Sequence, residues 1–164
     1  MELAASWAYP SAVKNPSFRK TFVLRVVPTL VVLLILAQFV PFGRSHENPP
    51  VTGEPDWDSP ETRALVKRVC FDCHSNETHW PWYANVAPVS WLLQRDVEEA
   101  REHLNFSEWD KPQRHADEAA HEVEEGEMPL WFYLPLHPEA KLSDDEKAAL
   151  IAGLKKTLGE RKRR

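Results

Sequence analysis

Apolar residues follow two different rhythms along this chain, and a stretch with no rhythm separates them. Residues 22–42 are apolar almost without interruption. A membrane-spanning helix needs about 20 such residues. Arg25 sits near one end, where its long stem reaches the headgroups. Pro28 falls in the first turns of the predicted span, where its missing N–H costs least. Residues 43–59 then place Gly43, Pro49, Pro50, Gly53 and Pro55 among charged residues. That composition reads as a linker, partly extended by its prolines and free to let the C-terminal part reorient.

From Ser59 onward apolar positions recur three and four apart, the period of an amphipathic helix. Ser59-Pro60-Glu61 is a helix start, with Ser as cap and Pro at the first position. Leu65, Val66 and Val69 form its stripe and carry the helix into Cys70. A second helix spans 88–104, with Val89, Leu92, Leu93, Val97, Ala100 and Leu104 as the apolar stripe. Glu98, Glu99, Arg101 and Glu102 read as its solvated face. A third opens at Lys111-Pro112 and reaches about residue 125, with Ala116, Ala119, Ala120 and Val123 inward and Gly126 to end it. Its acidic run (Glu118, Glu122, Glu124, Glu125, Glu127) reads as solvated surface, with a docking face for a basic protein partner as the alternative. Ser143 and Glu146 form a capping box, followed by Leu150, Ile151, Leu154 and Leu158.

The expected fold class is therefore all-α, with 1–21 as a cytoplasmic segment, 22–42 as a transmembrane anchor, 43–59 as a linker and 60–160 as a helical domain. Lys14, Arg19, Lys20 and Arg25 all precede the apolar core, which keeps the N-terminus cytoplasmic and exports the rest. A cleaved signal peptide is the rival reading. The small-x-small cleavage pattern is poor, because bulky Ile35 stands two positions before Ala37. No cysteine directly after the span offers a lipid attachment point, so a lipoprotein anchor does not apply. The tail 161–164 is basic, which suits the negative end of a helix dipole.

The chain has 164 residues and a formal net charge of −5, a balance that argues against nucleic-acid binding. Its 7 Trp suit a domain that wraps a large flat apolar cofactor, though tryptophan also fills cores. Trp80, Trp82 and Tyr83 form an aromatic cluster broken by Pro81; their polar tips would meet the carboxylates of such a cofactor, or their rings would fill a core under a loop.

The two cysteines are the only ones present, and they stand as Cys70-Phe71-Asp72-Cys73-His74. C-x-x-C-H is the pattern of c-type haem attachment. Each thiol adds its S–H across one haem vinyl group, and the next residue offers its imidazole to the iron. A thioredoxin-like pair would need a βαβ context, and a structural zinc site a second ligand pair.

Met128, in Glu127-Met128-Pro129, is the only methionine besides Met1. A thioether is the usual second axial ligand of electron-transfer cytochromes c. His79, His103, His115, His121 and His137 are the rival ligands. His137, which precedes Pro138 in the same loop, is the strongest of them.

Cys70-Phe71-Asp72-Cys73-His74-Ser75-Asn76-Glu77-Thr78, Trp80-Pro81-Trp82-Tyr83, Ala87-Pro88-Val89-Ser90-Trp91-Leu92, Leu104-Asn105-Phe106-Ser107-Glu108-Trp109 and Glu127-Met128-Pro129 together carry a resemblance. The chain resembles the haem-binding-domain family of bacterial membrane-anchored proteins, which is similar to small class I c-type cytochromes. The likeness covers about residues 39–158. It implies one covalent haem c, held by Cys70 and Cys73, with His74 as axial ligand. Met128 matches the Met-Pro position of class I cytochromes.

The expectation is a membrane-anchored monohaem c-type cytochrome with a cytochrome c-like domain of about four helices. It would pass single electrons between redox protein partners at the outer face of a bacterial inner membrane, as a carrier rather than an enzyme. A haem-based sensor or small-ligand-binding module is the alternative, and a peroxidase-like enzyme a more distant one.

Overall fold

The structure, a computed structural model, describes residues 16–159. The readings for residues 1–15, Lys14 among them, and for the basic tail 161–164 lie outside the described residues. Helix α1 runs Pro16–Ala37, and its Lys20–Ala37 stretch is long and apolar enough to cross a membrane. None of that stretch is buried, and α1 packs against no other helix among the described residues.

Two details of the predicted span change. The helix ends five residues before position 42, in a turn of i to i−3 bonds from Gln38, Phe39 and Val40. Pro41 cannot extend such a turn into α-helix, because it brings no N–H. The helix also begins earlier than 22, so Pro28 is interior and not in the first turns. One residue on, the Thr29 hydroxyl donates to the carbonyl of Arg25 at 2.8 Å, as Ser and Thr do near prolines in apolar helices.

Helices α2 (Pro60–Val69) and α6 (Asp144–Leu158) start where the caps predicted. Ser59 accepts from the Thr62 N–H, and Ser143 and Glu146 complete the reciprocal capping box. These two helices cross closely. A Cβ on Gly153 would lie 2.2 Å from Thr62 Oγ1, so only glycine permits this approach. Helix α5 (Ala119–Glu125) packs on α6, while α4 (Val89–His103) packs on the short α3 (Phe71–His74) and on the 3-10 turn Trp82–Asn85.

The core gathers Val66, Phe71, Phe106, Leu150 and Leu154. Phe106 is its centre, with Phe71, Trp57 and Trp109 ring centroids at 5.8, 5.5 and 6.3 Å. Burying aromatic area of this kind supplies the largest apolar gain per side chain.

The predicted third helix is wrong at its start. Residues 111–115 are not helical; a 3-10 turn at Ala116–Glu118 leads into α5. The Gln113 side chain explains this. It accepts from the Asn105 N–H at 2.9 Å and donates to the Glu108 carbonyl at 3.0 Å, which holds the segment against the preceding loop.

Residues 43–59 form a strap, not a loose linker. The N–H groups of Thr52 and Gly53 donate to the Ser107 carbonyl at 2.8 and 3.2 Å, and the Trp109 N–H returns to Gly53 at 3.0 Å. The Thr52 hydroxyl also contacts the Asp110 carboxylate. Arg63 grips Glu54 through two contacts of 2.6 Å, which hold that carboxyl below the usual range. Arg101, expected on a solvated helix face, is a half-buried hub. It donates to the carbonyls of Ser75 (2.8 Å) and Glu47 (3.1 Å) and to the side chains of Asn48 (3.0 Å) and Thr78 (2.9 Å). A guanidinium's several fixed donors suit this joining of three backbone segments.

Candidate functional site

Helix α2 stops at Val69, and Cys70 caps it. One further helical turn, α3, carries Cys73 and His74. Its first bonds run back to Cys70, from the Cys73 N–H at 3.1 Å and the His74 N–H at 2.8 Å. The motif therefore ends one helix and occupies the next turn. That turn sets Cys70, Cys73 and His74 along one cavity of about 880 Å³. The volume lies within the range of small-molecule and cofactor sites.

His74 Nδ1 lies 3.1 Å from the Ala100 carbonyl and 3.0 Å from the Leu104 carbonyl. Carbonyls only accept, so Nδ1 carries the proton and Nε2 keeps its lone pair. Burial pushes the imidazole pKa down, against the pull of those two hydrogen bonds. The result is a neutral ring with one free nitrogen, the state a metal-bound histidine needs. The end of α4 supplies this orientation: the Leu104 carbonyl lies past the last helical bond, and the Ala100 carbonyl accepts the imidazole N–H beside the Leu104 N–H.

Burial also pushes the Cys70 thiol up to about 12, and burial with the Asp72 charge pushes Cys73 to about 11. Both are free thiols, and both stay protonated at neutral pH. A redox-active or nucleophilic cysteine needs the opposite shift.

Met128 comes to the same cavity from α5. Gly126, at φ +83°, takes the left-handed conformation that ends the helix. The N–H groups of Glu127 and Met128 then donate to the Glu122 carbonyl at 3.0 and 3.1 Å. The Met128 side chain is half-buried against the core and lines the cavity.

Of the rival ligands, His79, His103, His115 and His137 line the cavity; His121 does not, and stands 3.9 Å from Glu125. His137 is held at both nitrogens. Its Nδ1 donates to the Tyr133 carbonyl at 3.1 Å, which leaves Nε2 to accept from the Tyr83 hydroxyl at 3.1 Å. Turning it to a metal would break that arrangement. His103 and His115 meet edge to face at 5.1 Å, a pairing that their separation in sequence hid.

The aromatic expectation is corrected in part. No described tryptophan lines the cavity; Trp57 and Trp109 are half-buried against the core, and Trp80 stacks on His46 at 4.8 Å. Tyr83 and Tyr133 line it instead. The Tyr133 hydroxyl donates to Asp72 at 2.9 Å and its ring stacks on His137 at 3.7 Å. Sequence reasoning missed this tie between the Met128 loop and the interior of the C-x-x-C motif. An acidic residue between the cysteines was its only trace.

The α4 stripe supplies the facing wall: Val89, Leu92, Leu93, Val97, Ala100 and Leu104 all line the cavity. An apolar wall, two thiols, a thioether and an imidazole with a free Nε2 fit a haem in chemistry. Comparison with known proteins gives the same answer. The family model for a haem-binding domain matches residues 32–156. The chain belongs to the haem-binding-domain family. No curated protein and no solved structure matches it.

Proposed function

We propose that this haem-binding domain is a monohaem c-type cytochrome with a cytochrome c-like helical fold, held at the outer face of a bacterial inner membrane by α1 and passing single electrons between redox protein partners. The observation that carries the reading is the joint placement of Cys70, Cys73, His74 and Met128 on one cavity, with His74 held in the ligating tautomer. Cys70 and Cys73 would hold the porphyrin through thioethers, and His74 and Met128 would hold the iron. When bound, haem supplies one-electron iron chemistry. The chain's own part is to fix both ligands, exclude water with the α4 wall, and tie the Met128 loop to the attachment turn through Tyr133 and Asp72. Two protein ligands would close the iron to substrates, which favours a carrier over an enzyme. Lys20 and Arg25 before the apolar core favour a cytoplasmic N-terminus.

The test is the spectrum of purified holoprotein with and without carbon monoxide, beside a denaturing gel stained for haem. The reading expects haem on the polypeptide, the weak long-red band of Met-ligated ferric haem, and no carbon monoxide adduct until Met128→Ala opens the site. Carbon monoxide binding to the wild type would favour the sensor or small-ligand module. Loss of all haem to acid-acetone would overturn covalent attachment.

A further inference from the structure

The joint between α1 and the domain is built, not loose. The Gln38 side chain bonds the backbone of Ala87 twice, donating to its carbonyl at 2.9 Å and accepting from its N–H at 3.1 Å. Arg44 donates back to the Gln38 carbonyl at 2.8 Å and to its side-chain oxygen at 2.9 Å. Gly43 presses on the first turn of α4, where an added Cβ would lie 2.2 Å from the Ser90 carbonyl. His46 Nε2 sits 3.1 Å from the Ala84 carbonyl. The chain leaving the apolar helix is thus locked to the segment 84–90.

Large apolar groups stand bare around that lock. Phe39 is 79% exposed and Phe42 51%, at the end of α1; Trp82 is 79% exposed and Val86 42%, on the domain side. Trp belongs at the headgroup level of a bilayer, where an apolar ring meets a hydrated layer. The joint is also polar: Arg44 Nε, Ser90 Oγ and Gln94 Oε1 are buried without a protein partner. Arg44 is part-exposed at this joint, and a guanidinium belongs in the headgroup layer rather than in the hydrocarbon core.

We propose that the turn Trp82–Asn85 with Val86 is a second membrane contact, seated in the phospholipid headgroup layer beside the end of α1. It holds the N-terminal end of α4, and with it one wall of the haem cavity, at the bilayer surface. Val89 and Leu92 of that wall come directly after the Ala87 clamp. Helix α6 touches neither α1 nor the Trp82–Asn85 turn. The inference rests on α1 being a retained membrane span.

The experiment places a benzophenone amino acid at one position at a time in the full-length, haem-loaded protein in native membranes, and reads phospholipid adducts after illumination. Leu33 reports the span, Phe39 its end, Trp82 and Val86 the contact, and the exposed Lys156 a helix that contacts neither. Adducts at 82 and 86 should approach the yield at 39 and exceed that at 156 several-fold. Adducts at 33 and 39 with background at both 82 and 86 would overturn the contact alone. So would equal yields at 82 and 156, which describe a domain tumbling on its tether. Background at Leu33 would overturn the retained span, and the contact with it.

Discussion

Helices α4 and α6 are each 15 residues long and each carries an apolar stripe at helical spacing, yet the stripes meet different things. Leu150 of α6 is 0% exposed, and Leu150 and Leu154 close the core against α2 and Phe106. Leu92 of α4 is 59% exposed in the polypeptide alone, and the whole α4 stripe lines the cavity. Periodicity states that a face is covered, and it is silent on whether protein or cofactor covers it. The C-x-x-C-H run, some twenty residues upstream, is what distinguishes the two.

The strongest way to break that comparison is to remove what covers α4. Cys70→Ala with Cys73→Ala, combined with extraction of haem, should bare the α4 stripe and leave the α2–α6 pair in place. Segment-resolved hydrogen exchange should show α4 losing about 3 kcal/mol or more of protection, the scale of linkage to a tightly held ligand. The α6 amides should lose less. Equal losses would mean that the cofactor wall and the core fold as one unit.

The parts legible in the sequence share a cause: each is a local signal. The Ser59 and Ser143 caps, the Gly126 terminator and the end of α2 at Cys70 work within a few residues of themselves. The parts that were hidden depend on partners far along the chain. Arg101 reads as surface because its acceptors, Glu47, Asn48, Ser75 and Thr78, are loop residues with no periodic mark. The strap over 43–59 has linker composition, yet its backbone pairs with Ser107 and Trp109. Residues 111–115 have helix-compatible composition, but the Gln113 side chain binds the previous loop. Tyr133 could not be joined to Asp72 without knowing that the Met128 loop folds back over the motif.

On the α6 side, Leu150→Ala should cost about 2–5 kcal/mol in chemical denaturation, the range for emptying a closed core position. The loss should be similar with and without haem, because the Leu150 side chain belongs to the core and not to the cavity lining. A loss that vanished on haem removal would place Leu150 on the cofactor side. Gly153→Ala is the next smaller test. Its new methyl meets Thr62 Oγ1 at 2.2 Å and Cγ2 at 2.6 Å, so α2 and α6 must separate, at about 1–3 kcal/mol. Thr62→Ala removes both of those atoms. The double variant should therefore be more stable than the sum of the singles predicts, a positive coupling in a mutant cycle. Strict additivity would mean that the crossing is looser than the distances state.

The smallest effect is the most discriminating, because its dependence on haem is the whole prediction. Leu92→Ala removes apolar atoms that stand largely exposed when the polypeptide is alone. In haem-free protein it should change stability by no more than about 0.5 kcal/mol, as exposed substitutions do. In the haem-loaded protein the proposed site would cover the same atoms, and losing them should then cost about 1–2 kcal/mol at the usual gain per buried methylene. The difference between the two states is the quantity to measure, and it cancels any change in helix propensity that Ala brings to α4 in both. Leu154→Ala cannot serve instead, since Leu154 belongs to the core as well as to the cavity wall and its loss would cost both states. If Leu92→Ala costs the same with and without haem, the α4 stripe is not the cofactor wall, and the distinction drawn between the two helices fails at its most exposed point.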